Sequence, residues 1–319
     1  AVRGLAILQH PERLRLRGGA EQCGTAVQQF GAERPMSQAF YDVDGTLYDG
    51  TMAHCGWWFL WALPDRAQRV SKALQFCVAL PYIGLLASYD EAKAAACLGN
   101  LVLRGVTVEE ALCASEAVAE GVMRHAYPEV IQHLKTLQRE GSATILLSGN
   151  IEPMLAALGA HLGSAVVGTT MESVRGRYTG KVVGQVCVLE GKREKLLAAI
   201  NPIQRQRGAA ERAGLVGVGN SVYDVPFLSE VPSTAVWVVR PSQRLGKLAD
   251  SRGWNLVFAK VRGTGVRLSA HNKTGRLATM AKAACQSMEA ALLGIYSLTG
   301  LSLWMFVPSS PKPIDKGVQ

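Results

Sequence analysis

The 319-residue sequence predicts an α/β protein: a parallel sheet with helices on both faces and a helical segment inserted after the first strand. Three observations carry this. Short apolar runs at 39–41, 143–147, 215–218 and 234–239 alternate with stretches of helical spacing, the pattern of strands buried on both faces. The first three runs each end in a polar, glycine-containing turn: Asp42-Val43-Asp44-Gly45, Ser148-Gly149-Asn150 and Gly219-Asn220-Ser221. Between the first and second runs, residues 55–128 contain no strand-like run and read as helical.

Taken in order, residues 1–35 carry Arg3, Arg13, Arg15, Arg17 and Arg34 but no long apolar run. We expect a loosely attached or organelle-targeting extension there, not a secretory signal. Residues 36–54 hold the first strand and its acidic turn. The insert, 55–128, is apolar at Trp57–Trp61 and again over 76–87, with breaks expected at Pro64, Pro81 and around Gly99 to Gly105. These runs read either as the inner face of a helical cap or as a lipid-facing surface. From 129 to 256 the strand–helix alternation resumes, with helices expected at 131–140, 154–162 and 194–200 and a glycine-punctuated hairpin within 166–188. Residues 257–319 read as a basic linker followed by eighteen uncharged residues, 290–307, long enough to cross about 30 Å of hydrocarbon. Membrane association and a packed terminal helix both remain open for that run.

The formal charge of +9 is concentrated at one end. Residues 240–319 hold twelve Lys or Arg against three Asp or Glu, which accounts for the whole excess. A solvated basic face and attraction to an acidic surface, such as a membrane, both fit. No aromatic-interleaved basic run accompanies the charge, so no nucleic-acid partner is expected. The seven cysteines are scattered without CxxC spacing, which argues against zinc and for buried free thiols in a reducing compartment, cytoplasmic or organellar.

The turns at the strand ends carry the chemistry, because open α/β sheets place their sites at strand carboxyl ends. Asp42 and Asp44, two residues apart, can divide labour between attack on phosphorus and proton transfer to a leaving oxygen. Gly45 allows the backbone close to a phosphate and offers its N–H. Ser148 and the Gly149 N–H can hold a transferring phosphoryl group. Lys192, preferred over Lys195 for its place in Gly191-Lys192-x-x-x-Leu196, offsets negative charge. Asn220 and Asp224 supply oxygens that could complete a site for a hard cation with Asp42 and Asp44.

In this order the four elements resemble the haloacid dehalogenase superfamily, in particular its phosphoserine-phosphatase-like branch, from about Phe40 to Leu256. The resemblance implies a Rossmann-like core, an aspartyl-phosphate on Asp42, acid–base work by Asp44, phosphate binding by Ser148 and Lys192, and Mg²⁺ as cofactor. One departure is Asn220, where many relatives carry an aspartate; a neutral ligand lowers the affinity for a cation. The expected activity is phosphomonoester hydrolysis. The greasy cap and basic tail suggest a lipid phosphate, against phosphoserine or another small phosphomonoester, transfer of the phosphoryl group to an alcohol, or a catalytically weak subunit that docks on a membrane complex.

Overall fold

All four residues of Gln38–Tyr41 are buried, and they form β1 at the centre of a six-stranded sheet. The computed structural model describes residues 37–257. The predicted extension at 1–35, the basic segment after 257 and the apolar run at 290–307 lie outside them.

Four helices follow β1: α1 (Met52–Ala62), α2 (Arg66–Ala87), α3 (Glu91–Leu103) and α4 (Val108–Arg124). The chain then runs through α5 (Pro128–Arg139), β2 (Ala143–Ile151), α6 (Glu152–Leu162), β3 (Ala165–Thr169), β4 (Met171–Val174), β5 (Arg177–Val182), α7 (Glu190–Ala199) and α8 (Pro202–Gln206). β6 (Leu215–Gly219), α9 (Val225–Leu228), β7 (Val236–Val239), α10 (Gln243–Arg252) and β8 (Asn255–Val257) complete it. The main sheet has the order β3-β2-β1-β6-β7-β8, parallel throughout, and β4 and β5 form a separate antiparallel hairpin. This is the α/β parallel sheet that the alternation of runs predicts and the Rossmann-like core that the resemblance implies. The order reverses at β1, with β2 on one side and β6 on the other. The turns after β1, β2 and β6 therefore meet at one edge.

Several local expectations change. Pro81 does not break α2 but sits inside it, on its exposed side, while Ala79, Tyr82, Ile83 and Leu86 are buried. Their packing outweighs the hydrogen bond that the proline removes. Gly99 likewise lies within α3; a Cβ there would come 3.0 Å from Ile151 and 3.1 Å from Met171, so the missing side chain permits close packing against the core. β2 runs past Ser148 to Ile151, with a register shift between Leu147 and Ile151 that bulges 148–150 out of the ladder. Of the five described cysteines, Cys55, Cys97 and Cys187 are buried, whereas Cys77 and Cys113 are exposed, which corrects the expectation of buried thiols.

The helices α1–α4 pack mainly on each other, and α4 lies along α6 of the core. Phe59, Leu60 and Phe76 are buried there, each contributing about 1.5–3 kcal/mol of burial free energy. The apolar insert is in part the inner face of a helical cap, as one of the two readings expects. α2 turns Ala73, Phe76 and Ala79 inward but leaves Val70, Leu74 and Val78 exposed.

Candidate active site

Thr46 and Tyr48 explain how the acidic turn keeps its shape. The Thr46 hydroxyl donates to Asp42 Oδ2 at 2.7 Å, and the Tyr48 hydroxyl donates to Asp44 Oδ1 at 2.8 Å. Gly45 adopts φ +77°, and a Cβ there would fall 2.1 Å from Asn220 Nδ2. Glycine is thus needed both for the left-handed conformation and for the approach of the Asn220 amide over the turn.

Lys192, on the first turn of α7, reaches across to the sheet edge. Its Nζ lies 2.6 Å from Asp42 Oδ1 and 2.6 Å from Asp224 Oδ1, and all three side chains are buried. The competitor Lys195 donates instead to the carbonyl of Gly168, away from this cluster. The other oxygen of Asp224 accepts from the backbone N–H groups of Asn220 and Ser221 and from the Ser221 hydroxyl. Asp224 therefore holds the lysine with one oxygen and the shape of its own loop with the other. Ser148 Oγ donates to Asp44 Oδ2 at 3.2 Å, and the bulge in β2 is what turns it toward the acidic loop. Gly149 sits where a Cβ would meet Val188 Cγ1 at 2.8 Å, so its backbone lies tight against the segment that leads into α7.

The structure thus brings together Asp42, Asp44, Gly45, Gly149, Lys192 and Asn220 around one cavity of about 430 Å³, with Ser148 bonded to Asp44 and Asp224 bonded to Lys192 beneath it. Burial and then the charge of Asp224 push the Asp42 carboxyl upward to about 7, against the pull of Lys192. Asp44 is raised to about 6 by burial, restrained by its hydrogen bond from Tyr48 and by Lys192. Burial lowers Lys192, but Asp224 and Asp42 more than offset this and hold it charged.

Among the described residues no group of three or more His, Cys, Asp or Glu is arranged to grip a metal alone. A magnesium ion does not require one, since it takes few protein oxygens and keeps its waters. Of the residues expected to supply such oxygens, Asp42, Asp44 and Asn220 line the cavity, whereas Asp224, the fourth, has its oxygens on Lys192 and on its own loop.

The roof of the cavity was not legible as a site in the sequence. It is made by two helix stripes at i, i+3, i+4, i+7 spacing: Leu80, Ile83, Gly84 and Ala87 of α2, and Glu91, Ala94, Ala95 and Leu98 of α3. Small residues on both stripes leave a hollow where larger ones would fill a core. Glu91 and Tyr223, neither singled out by motif, line it as well. A larger hollow of about 860 Å³ beside α5, α6 and β3 holds Glu152, already bonded to the Gly168 N–H, and Lys135, bonded to the Leu162 carbonyl. No reactive groups converge there.

Residues 39–229 match the family of haloacid dehalogenase-like hydrolases. The chain belongs to that family. The matched stretch contains every residue of the cluster from Asp42 to Asp224. This haloacid dehalogenase-like hydrolase is similar to the phosphoserine phosphatase SerB1 of Mycobacterium tuberculosis, 28% identical over 229 residues that cover 68% of this chain and 69% of that protein. Among solved structures it is similar to a protein of unknown function from Bordetella pertussis Tohama I, with a TM-score of 0.55 and 20% identity over 70% of this chain and 99% of that one. It is also similar to the HAD family hydrolase t0658 of Salmonella enterica serovar Typhi, with a TM-score of 0.50 and 12% identity over 70% and 67% of the two chains. Both structural likenesses speak to the fold.

Proposed function

We propose that the protein hydrolyses phosphomonoesters through an aspartyl-phosphate on Asp42 and that its substrates carry an apolar leaving group, as a lipid phosphate does. The observation that carries the reading is the convergence of Asp42, Asp44 and Lys192 on the floor of a cavity whose roof is apolar.

Asp42 attacks phosphorus. Lys192, fixed between Asp42 and Asp224, offsets the charge that gathers as carboxylate and phosphate approach. Ser148 and the Gly149 N–H donate to the phosphoryl oxygens. Asp44, raised by burial to about 6, exchanges protons closer to neutrality than an ordinary carboxylate: its acid form delivers a proton to the leaving oxygen, and its carboxylate then takes one from the water that opens the aspartyl-phosphate. Mg²⁺, held by Asp42, the Asp44 carbonyl and Asn220, would supply charge stabilisation for the phosphoryl group.

The substrate class follows from the roof. Among the described residues Lys192 is the only cation lining the cavity, and it is already bonded to two carboxylates. A phosphoserine carboxylate would enter without a partner, whereas an alkyl or acyl chain would meet Leu80, Ile83 and Leu98. Phosphoserine is the second reading, favoured by the name of the mycobacterial relative.

The test is phosphate release with Mg²⁺ from a monoacylglycerol phosphate, an alkyl phosphate and phosphoserine. Turnover is expected on the first two and should fall about 10⁴-fold or more in Asp42→Asn. Turnover of phosphoserine alone would refute the apolar substrate, and full activity in Asp42→Asn would refute the mechanism.

A further inference from the structure

Glu91 is the one charged residue that the helical insert sends into the cavity, and no step above uses it. It opens the stripe Glu91, Ala94, Ala95, Leu98, so its side chain lies on the face of α3 that forms the roof. The need for a cap does not explain it. Asp90 already caps the helix, its side chain accepting from the Lys93 N–H. One carboxylate oxygen of Glu91, Oε2, is buried and has no hydrogen-bond partner among the described residues. Buried polar atoms are nearly always paired, so an orphan facing a substrate cavity points to a group that the substrate brings.

We propose that Glu91 selects the substrate by hydrogen-bonding a hydroxyl on the leaving group of an otherwise apolar phosphomonoester. The inference rests on the hydrolase reading above for the word substrate, but the contact itself is a binding property. Its surroundings favour a hydroxyl. Ala87, Ala94, Ala95 and Leu98 offer nothing to help solvate an ammonium group. Burial pushes the Glu91 carboxyl up to about 7, so near neutrality it is present in both forms. A hydroxyl can donate to the ionised form and accept from the protonated one, which an ammonium cannot. Tyr223, from the core, flanks the same end of the cavity; burial and then the charge of Glu91 raise its phenol. Cap and core thus close on one polar spot in the same cavity that holds Asp42, Asp44 and Lys192.

Calorimetric titration of the full chain with Mg²⁺ tests this without requiring turnover. The probes are a monoacylglycerol phosphonate with its free hydroxyl and the deoxy phosphonate of equal chain length. The parent should bind the hydroxylated probe about tenfold to a hundredfold more tightly. Glu91→Leu should erase the preference, and Glu91→Gln, which keeps both donor and acceptor, should retain most of it. Equal binding of the two probes by the parent, or a preference that survives Glu91→Leu, overturns the proposal. A loss in Glu91→Gln as complete as in Glu91→Leu would mean that a full charge is required and overturns the hydroxyl. Phosphate release from the matching esters separates the two levels. Preference without release defeats the hydrolase reading and leaves Glu91 standing, while release without preference does the reverse.

Discussion

On the floor of the cavity, Lys192 lies 2.6 Å from both Asp42 and Asp224, and Thr46, Tyr48, Ser148 and Ser221 take up the remaining carboxylate oxygens. On the roof stands an apolar wall with a single carboxyl, Glu91, whose buried oxygen has no partner among the described residues. The floor is over-determined by mutual charge and hydrogen bonds, so its geometry exists before any ligand arrives. The roof has little to hold beyond packing, and its small residues define a volume instead of a set of contacts. The floor therefore carries what any phosphomonoester shares, and the roof carries what tells one from another.

The largest way to break this contrast is to remove the cation from the floor. Lys192→Met leaves Asp42 and Asp224 facing each other in a buried site without compensation, and should cost about 3–5 kcal/mol in urea denaturation besides abolishing turnover. A loss below about 1 kcal/mol would mean that the floor is not held by charge.

How much of this the sequence revealed follows the same divide. Asp42, Asp44 and Gly45 were legible because a strand end and its turn are local, and Lys192 because its spacing to Leu196 marks the start of a helix. The double role of Asp224 was not, since Lys192 comes from α7, 32 residues away, and Asp42, which shares that lysine, follows β1, 182 residues away. The parallel sheet was legible from the apolar runs, whereas the continuation of α2 through Pro81 depends on tertiary packing that overrides a local signal. Glu91 reads in sequence as an ordinary first-turn acid after an Asp cap. Only the docking of α3 over the sheet edge turns it into the cavity.

A gentler change sharpens the comparison by giving the roof a cation. Gly84 lines the cavity, is exposed, and has no atom within 4 Å of an added Cβ. Gly84→Lys should raise the kcat/KM ratio for phosphoserine over an alkyl phosphate by about tenfold, as one screened charge pair provides. Stability should rise by about 0.5–1 kcal/mol from helix propensity. An unchanged ratio would show that the leaving group does not lie under α2.

The smallest effect concerns the pH dependence of stability. Because burial raises Glu91 to about 7 in the folded state, from an ordinary 4.5, the folded chain binds that proton more tightly. The contribution is fully present below about 4.5 and is lost as pH rises through about 7. Glu91→Gln, which cannot ionise, should match the parent near pH 4 and exceed it at pH 8 by on the order of 1 kcal/mol in thermal unfolding. An advantage that did not grow with pH would place Glu91 in solvent.

The most direct probe of the account is ¹⁹F NMR of the protein with beryllium fluoride, which mimics a phosphoryl group on a carboxylate. With saturating Mg²⁺ the parent should show a bound fluoroberyllate signal that disappears in Asp42→Asn. A bound signal that persists in Asp42→Asn, or none in the parent, would contradict the assignment of Asp42 as the residue that carries the phosphoryl group.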